Sequence, residues 1–147
     1  MIPKYRAWSK ATKVMYDDDD ILAIDCENEE IVTQKIYFED GLPDERDIYT
    51  YDFDDIVLMQ ATWLRDKNGK EIFEGDIIAI NLEGIETPIA AKVFQNRKIG
   101  ILMFHAFEDN EDVPMVELLE DDSVAFAIIG NIWEDGELLD VENTEEN

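Results

Sequence analysis

Two oxygen-rich runs in this chain, Asp17-Asp18-Asp19-Asp20 and Glu108-Asp109-Asn110-Glu111-Asp112, have the residue types that hold a hard cation. A Ca²⁺ loop needs its ligands spaced so that several oxygens converge, with a glycine at the sharp turn and a closing glutamate. Four successive aspartates leading into a strand alternate sides and cannot all face one ion, so the first run reads as a solvated turn. The second lacks the glycine and the closing glutamate, which leaves weak, adventitious divalent binding. Nucleophilic chemistry has few parts to work with: Ser9, Ser123, Cys26 and the single histidine, His105. A Ser–His or Cys–His pair must meet in space. His105 follows an apolar run and reads as a strand-end residue, and Cys26 as a half-buried small apolar one. The many carboxylates are read as surface rather than as an acid/base pair of the glycosidase kind. No catalytic residue, cofactor or metal is expected.

Phosphate sites fail on pattern. Gly69-Lys70 has neither the glycine-rich loop before it nor the Ser/Thr after it that a P-loop needs, and no Gly-x-Gly-x-x-Gly occurs. Charge is more decisive. The 147 residues carry 37 acidic and 12 basic side chains, a net charge of −25. Direct nucleic-acid binding is not expected, because it depends on Lys and Arg releasing counterions from the phosphates; Arg65, Lys67 and Lys70 form the one local basic cluster. Anionic membranes should repel the chain. No run of ~18 apolar residues predicts a membrane span, and the polar start Pro3-Lys4-Tyr5-Arg6 is unlike an export signal. A soluble, cytoplasmic protein is the expectation. One cysteine excludes an intramolecular disulfide.

The charge is unevenly placed. Lys98 is the last basic residue, and 15 acids follow it with no Lys or Arg among them. An ordinary surface intersperses the signs, so this segment predicts an acidic face. Its candidate residues are Glu108, Asp109, Glu111, Asp112, Glu117, Glu120, Asp121 and Asp122. The acidic stretch 140–147, with one apolar residue, predicts a frayed tail.

The elements that must position these residues read mainly as strands. Apolar runs of four to eight residues with β-branched character recur at 21–24, 30–38, 56–60, 76–82, 89–94, 99–104 and 124–129, and polar turns separate them. Their spacing is near the ~8–12 residues of a meander or small barrel. Asn68-Gly69 suits a tight reversal with positive φ. Further reversals are expected at 82–85 and 94–98, with Glu74-Gly75-Asp76 turning the chain into the strand at 77. Gly130-Asn131 is expected to make a tight turn before Ile132-Trp133. Short helices are expected at 42–46 and at 113–119, the latter with Pro114 in its first turn. Trp8, Trp63 and Trp133 are expected to anchor the core. The fold class is mainly β, or β-rich α+β, with antiparallel strands. Charged and turn-forming residues crowd together at 39–55, a boundary between an N-terminal β-rich segment (1–55) and a second part (56–139) that precedes the tail.

Three blocks in order resemble one family. They are Ile2-Pro3-Lys4-Tyr5-Arg6-Ala7-Trp8 with Lys13-Val14-Met15-Tyr16, then the stretch from Leu58 through Thr62-Trp63-Leu64-Arg65-Asp66-Lys67-Asn68-Gly69 to Gly75-Asp76-Ile77-Ile78, then Ile129-Gly130-Asn131-Ile132-Trp133-Glu134 with Leu138-Leu139. Together they resemble the YopX-like proteins of bacteriophages and prophages, mostly of Gram-positive hosts. The resemblance implies a small phage-encoded protein of uncharacterised role, with an SH3-like barrel in its C-terminal part and no catalytic residues to transfer. One position departs: Trp63 stands where a glycine is expected after the threonine, which puts in doubt any special backbone angle there.

Function is therefore expected to be interaction. The first expectation is a small acidic protein-interaction or regulatory module that meets a basic protein partner. A sharper form is mimicry of DNA, blocking a host nucleic-acid-binding protein. A chain of this length is ~38 Å across, and duplex DNA of that length carries ~22 charges. Averaged over a surface of ~7,700 Å², however, the net charge is about threefold sparser than on the duplex, so mimicry needs the acids gathered on one face. A structural or assembly component forming a homo-oligomer is the remaining alternative.

Overall fold

The computed structural model describes residues 3–135. The expected tail at 140–147, and Ile2, Leu138 and Leu139 of the resembling blocks, lie outside these residues. The chain divides into two compact units, Met1–Gln60 and Ala61–Asn147.

The first unit is built from short, antiparallel pairings. Strand β1 (Tyr5–Ser9) lies between β2 (Val14–Tyr16) and the first half of β6 (Ile56–Arg65). A second sheet has the order β3 (Ile21–Asp25), β4 (Glu30–Glu39), β5 (Leu42–Asp52). Ala7, Tyr16, Ile31 and Ile56 form the buried cluster, with Val14, Ile21, Tyr51, Phe53 and Leu58 packed on it. The aspartate run resolves into a single 3₁₀ turn, Asp18–Asp20, that buries none of its side chains.

In the second unit, β6 continues past Gln60, and its Ala61 and Arg65 pair with Phe73 and Glu71 of β7 (Glu71–Phe73). The main sheet has the order β11 (Glu111–Pro114), β10 (Ile101–Ala106), β9 (Ile89–Asn96), β8 (Asp76–Asn81), β12 (Ala125–Asn131). It is antiparallel throughout and curls into a half-barrel. The fold is thus mainly β, as the apolar runs predict. One short helix, α1 (Val116–Leu119), follows β11. Ile72, Ile78, Ile80, Ala91, Val93, Phe104, Met115 and Leu118 fill the concave side. Each fully buried aliphatic side chain there contributes ~1.5–3 kcal/mol.

Several expectations are corrected. Residues 42–46 are not helical; they open β5, which is exposed along almost its whole length. Its missing apolar alternation follows, because a strand with both faces in water has no inward set to display. Pro114 does not start a helix but ends β11, paired with Met103. Ile99 and Gly100 belong to the turn at 97–100, where Gly100 adopts φ +70° and its N–H bonds Asn96 O, so β10 starts at Ile101. Trp8 is buried, but Trp63 is 44% exposed and anchors nothing, and Trp133 is half-buried. Gly130-Asn131 is not a tight turn: both residues end β12, paired with Ile77 and Asp76 after a bulge, and the turn falls at 132–134.

Candidate functional site

All eight residues of the expected acidic face are exposed. Glu108 and Asp109 occupy the β10–β11 turn, Glu111 and Asp112 lie on β11, Glu117 on α1, and Glu120, Asp121 and Asp122 just after it. Since β11 is an edge of the curled sheet, the acids line that edge and the chain leading from it. Of the apolar residues in the same segment, Met115 and Leu118 are buried in the core, while Val116 and Leu119 are exposed beside the acids. The carboxylates face water. The unit's cations sit on other elements: Arg65, Lys67 and Lys70 around the β6–β7 turn, Lys92 on β9, and Arg97 and Lys98 in the β9–β10 turn.

At this edge His105 Nδ1 meets Asp112 Oδ1 at 2.7 Å. Register explains it: Lys92, His105 and Asp112 are successive partners across β9, β10 and β11 and share one face. Phe107 meets the imidazole edge-on at 5.7 Å. Of the other nucleophile candidates, the two serines are engaged locally. Ser123 Oγ donates to Asp121 Oδ1 at 2.6 Å, and this bond, followed by one from the Ser123 N–H, holds Asp121 below the ordinary carboxylate range. Ser9 is fully buried and its Oγ accepts the Thr12 N–H. Cys26 is exposed. Among the described residues no group of three or more His, Cys, Asp or Glu side chains is placed to hold a metal ion, and no helix is long and apolar enough to cross a membrane.

The turn motifs prove to be a hydrogen-bonded frame. Gly69 takes φ +80° and its N–H bonds Asp66 O, closing the expected Asn-Gly reversal. Its organiser is Asp66, which spacing alone did not single out. The buried carboxylate accepts the N–H groups of Asn68 (3.0 Å) and Lys70 (2.8 Å) on Oδ1 and that of Ile128 (3.0 Å) on Oδ2. Burial raises its pKa, but the bonds from Ile128, Lys70 and Asn68 and the Lys70 charge outweigh burial and hold the group below its ordinary value. An aspartate two residues before Asn-Gly is a natural Asx-turn former, and that was the available signal. Gly75, at φ +87°, donates to Val93 O and accepts from Ile132, while Asp76 Oδ2 takes the Phe73 N–H at 2.8 Å. Asn131 Oδ1 caps the terminal turn by accepting the N–H groups of Trp133 (3.0 Å) and Glu134 (2.8 Å).

Trp63 corrects one further expectation. It adopts φ +66°, so the special backbone angle is present although the residue is not glycine. The register of β6 on β7 breaks between Ala61 and Arg65, a bulge centred on this tryptophan. Thr62 bridges the break: its Oγ1 donates to Ile72 O at 2.7 Å and accepts the Leu64 N–H at 3.2 Å. A side chain thereby replaces ladder partners that the bulge removes.

Two solved structures share this architecture. Protein EF1440 from Enterococcus faecalis superimposes with a TM-score of 0.59 at 29% identity, over 95% of this chain and 99% of that one. Protein yopX from Bacillus subtilis superimposes with a TM-score of 0.59 at 18% identity, over 92% and 96%, and at that identity shows the fold alone. No curated protein matches the chain. The YopX protein family model matches residues 4–140, nearly the whole of the chain, and the chain belongs to the YopX family.

Proposed function

We propose that this chain is a small acidic protein-interaction module, encoded by a phage or prophage and acting in the host cytoplasm on a basic protein partner. The observation that carries the reading is the placement of eight exposed carboxylates along the β11 edge and α1, in a segment that has no Lys or Arg after Lys98. Complementary charge of this kind raises encounter rates and selects partners more than it adds affinity.

The test is capture from host lysate at low and high salt with three proteins: the natural chain, a variant with Glu108, Asp109, Glu111 and Asp112 made amide, and a control with Asp17–Asp20 made amide. A discrete basic partner that is lost at high salt and lost with the first variant alone is the expected result. Equal capture by both variants, or a stable homo-oligomer that captures nothing, overturns it. Mimicry of DNA is distinguished within the same experiment, because duplex DNA then competes for the captured partner.

A further inference from the structure

We propose that the outer edge of β5 takes up an extended segment of a partner protein, with alternating apolar and basic side chains, as a fourth strand beside β3, β4 and β5. This surface lies in the first unit and shares with the acidic β11 edge only its sign of charge.

The edge is long and open. β5 runs for 11 residues, ten of them exposed, and among the described residues its strand neighbour is β4 alone. Unpaired N–H and C=O groups along such an edge are a template for an added strand. The two faces of the β4–β5 hairpin then set what that strand must carry. On one face Gln34 pairs with Ile48 and Ile36 with Arg46, and Phe38 continues the row opposite Pro43. Phe38 and Ile48 are 65% and 53% exposed, and two clefts of about 440 and 400 Å³ meet at Gln34 and Ile36. Arg46, the cation on this face, donates to Gln34 Oε1 at 3.1 Å and is tied down there. The larger cleft lies on the β4 side and is lined also by Asp17, Asp19 and Asp20, so what an added strand meets on this face of β5 itself is the apolar Ile48 and Pro43 around the tied-down Arg46.

The other face is polar and acidic. Thr33 pairs with Tyr49, Lys35 with Asp47 and Tyr37 with Glu45. Tyr49 donates to Asp47 Oδ2 at 3.3 Å, and the Lys35 ammonium sits 5.5 Å from the Tyr37 ring centroid. Glu45 and Asp47 are exposed on the edge strand itself, so an added strand lays its alternate side chains beside them, and Lys or Arg fits. The same charges disfavour a second copy. Two β5 strands paired antiparallel about any centre from Asp44 to Ile48 set like charges opposite one another, and each copy brings a net −25.

The probe is a synthetic peptide of about nine residues alternating Lys and Val, titrated into the full chain and followed at the β5 backbone amides by NMR. Saturable shifts confined to the β4–β5 hairpin are expected, weakened about tenfold by Glu45→Lys with Asp47→Lys, and the same variant should gain binding to a Glu–Val peptide. Ile48→Ser weakens the Lys–Val peptide independently, and circular dichroism confirms that each variant folds. Making Glu108, Asp109, Glu111 and Asp112 amide leaves this binding unchanged, which separates it from the β11 edge. Equal binding of a peptide N-methylated along either edge, or of a Lys-Lys-Val-Val ordering, overturns strand addition. So does an absence of shifts, or a dimer of the chain that the β5 variants dissolve.

Discussion

Asp66 Oδ2 accepts the backbone N–H of Ile128, 62 residues along the chain, at 3.0 Å. With Lys67 N–H donating to Phe126 O, this fastens the β6–β7 turn to strand β12. Asp66→Ala takes the acceptor from the N–H groups of Asn68, Lys70 and Ile128 in a partly buried site and should destabilise the protein by about 2 kcal/mol. Asp66→Asn keeps one acceptor and should cost about half as much. Urea denaturation checks both. The folded pKa is depressed, so the carboxylate's contribution is complete above its unfolded value of ~3.9 and is lost as pH falls through the folded one. The stability gap between the natural chain and Asp66→Asn should stay flat from neutrality to about pH 5 and close below about pH 4.

Trp63 sits at φ +66° with much of its ring in water. A left-handed backbone costs an L-residue ~1–2 kcal/mol and glycine almost nothing. Trp63→Gly should therefore be more stable than Trp63→Ala by about 1 kcal/mol, the reverse of the usual order within a strand. Thermal melts of the two variants decide it, and alanine melting higher would refute it.

Gly130 has no room for a methyl group. A Cβ there would lie 2.5 Å from Asp135 Oδ2, the atom that accepts the Asn131 N–H. Gly130→Ala should cost about 2 kcal/mol in the natural chain and well under 1 kcal/mol in an Asp135→Ala background. A double-mutant cycle by denaturation measures that coupling.

Tyr16 and Tyr51 share a hydroxyl–hydroxyl bond of 2.7 Å, with rings tilted at 5.8 Å. Burial first, and then the bond to Tyr51, pushes the Tyr16 phenol well above its ordinary range. Folding thus keeps Tyr16 protonated. The stability this contributes is full below the unfolded value of ~10 and is lost as pH rises toward the folded one. Alkaline unfolding should begin near pH 10, and Tyr16→Phe should flatten it while costing about 1 kcal/mol at neutrality. Melting temperature against pH, with phenolate absorbance alongside, follows both effects.

How much of this was legible depended on burial. The runs at 30–38, 76–82 and 89–94 became β4, β8 and β9 because each buries residues in a core, and water exclusion writes them as apolar letters, while the run at 21–24 became β3 with only Ile21 packed on a core. β5 was hidden for the opposite reason: as an exposed edge it carries Asp44, Glu45, Arg46 and Asp47 in succession, which reads as a loop or a short helix. β1 was missed because its buried residues mix Arg6 and Ser9 with Ala7 and Trp8, so no apolar run marks it. The acidic segment could be found by counting charges. That it follows a sheet edge could not, since strand order arises from pairings between distant residues. The bulge at Trp63 was signalled only by the glycine expected there, and the bulky side chain argued the wrong way, since Trp63 itself takes the positive φ while Thr62 bridges the gap.

The turn at 97–100 holds the final trypsin-sensitive residues of the chain, Arg97 and Lys98, both exposed. Cleavage after Lys98 releases no loop; it parts the covalent link between β9 and β10 while their ladder and that of β8 with β12 still join the pieces. The molecule therefore carries a split point at which backbone ladders, rather than the chain itself, span the break.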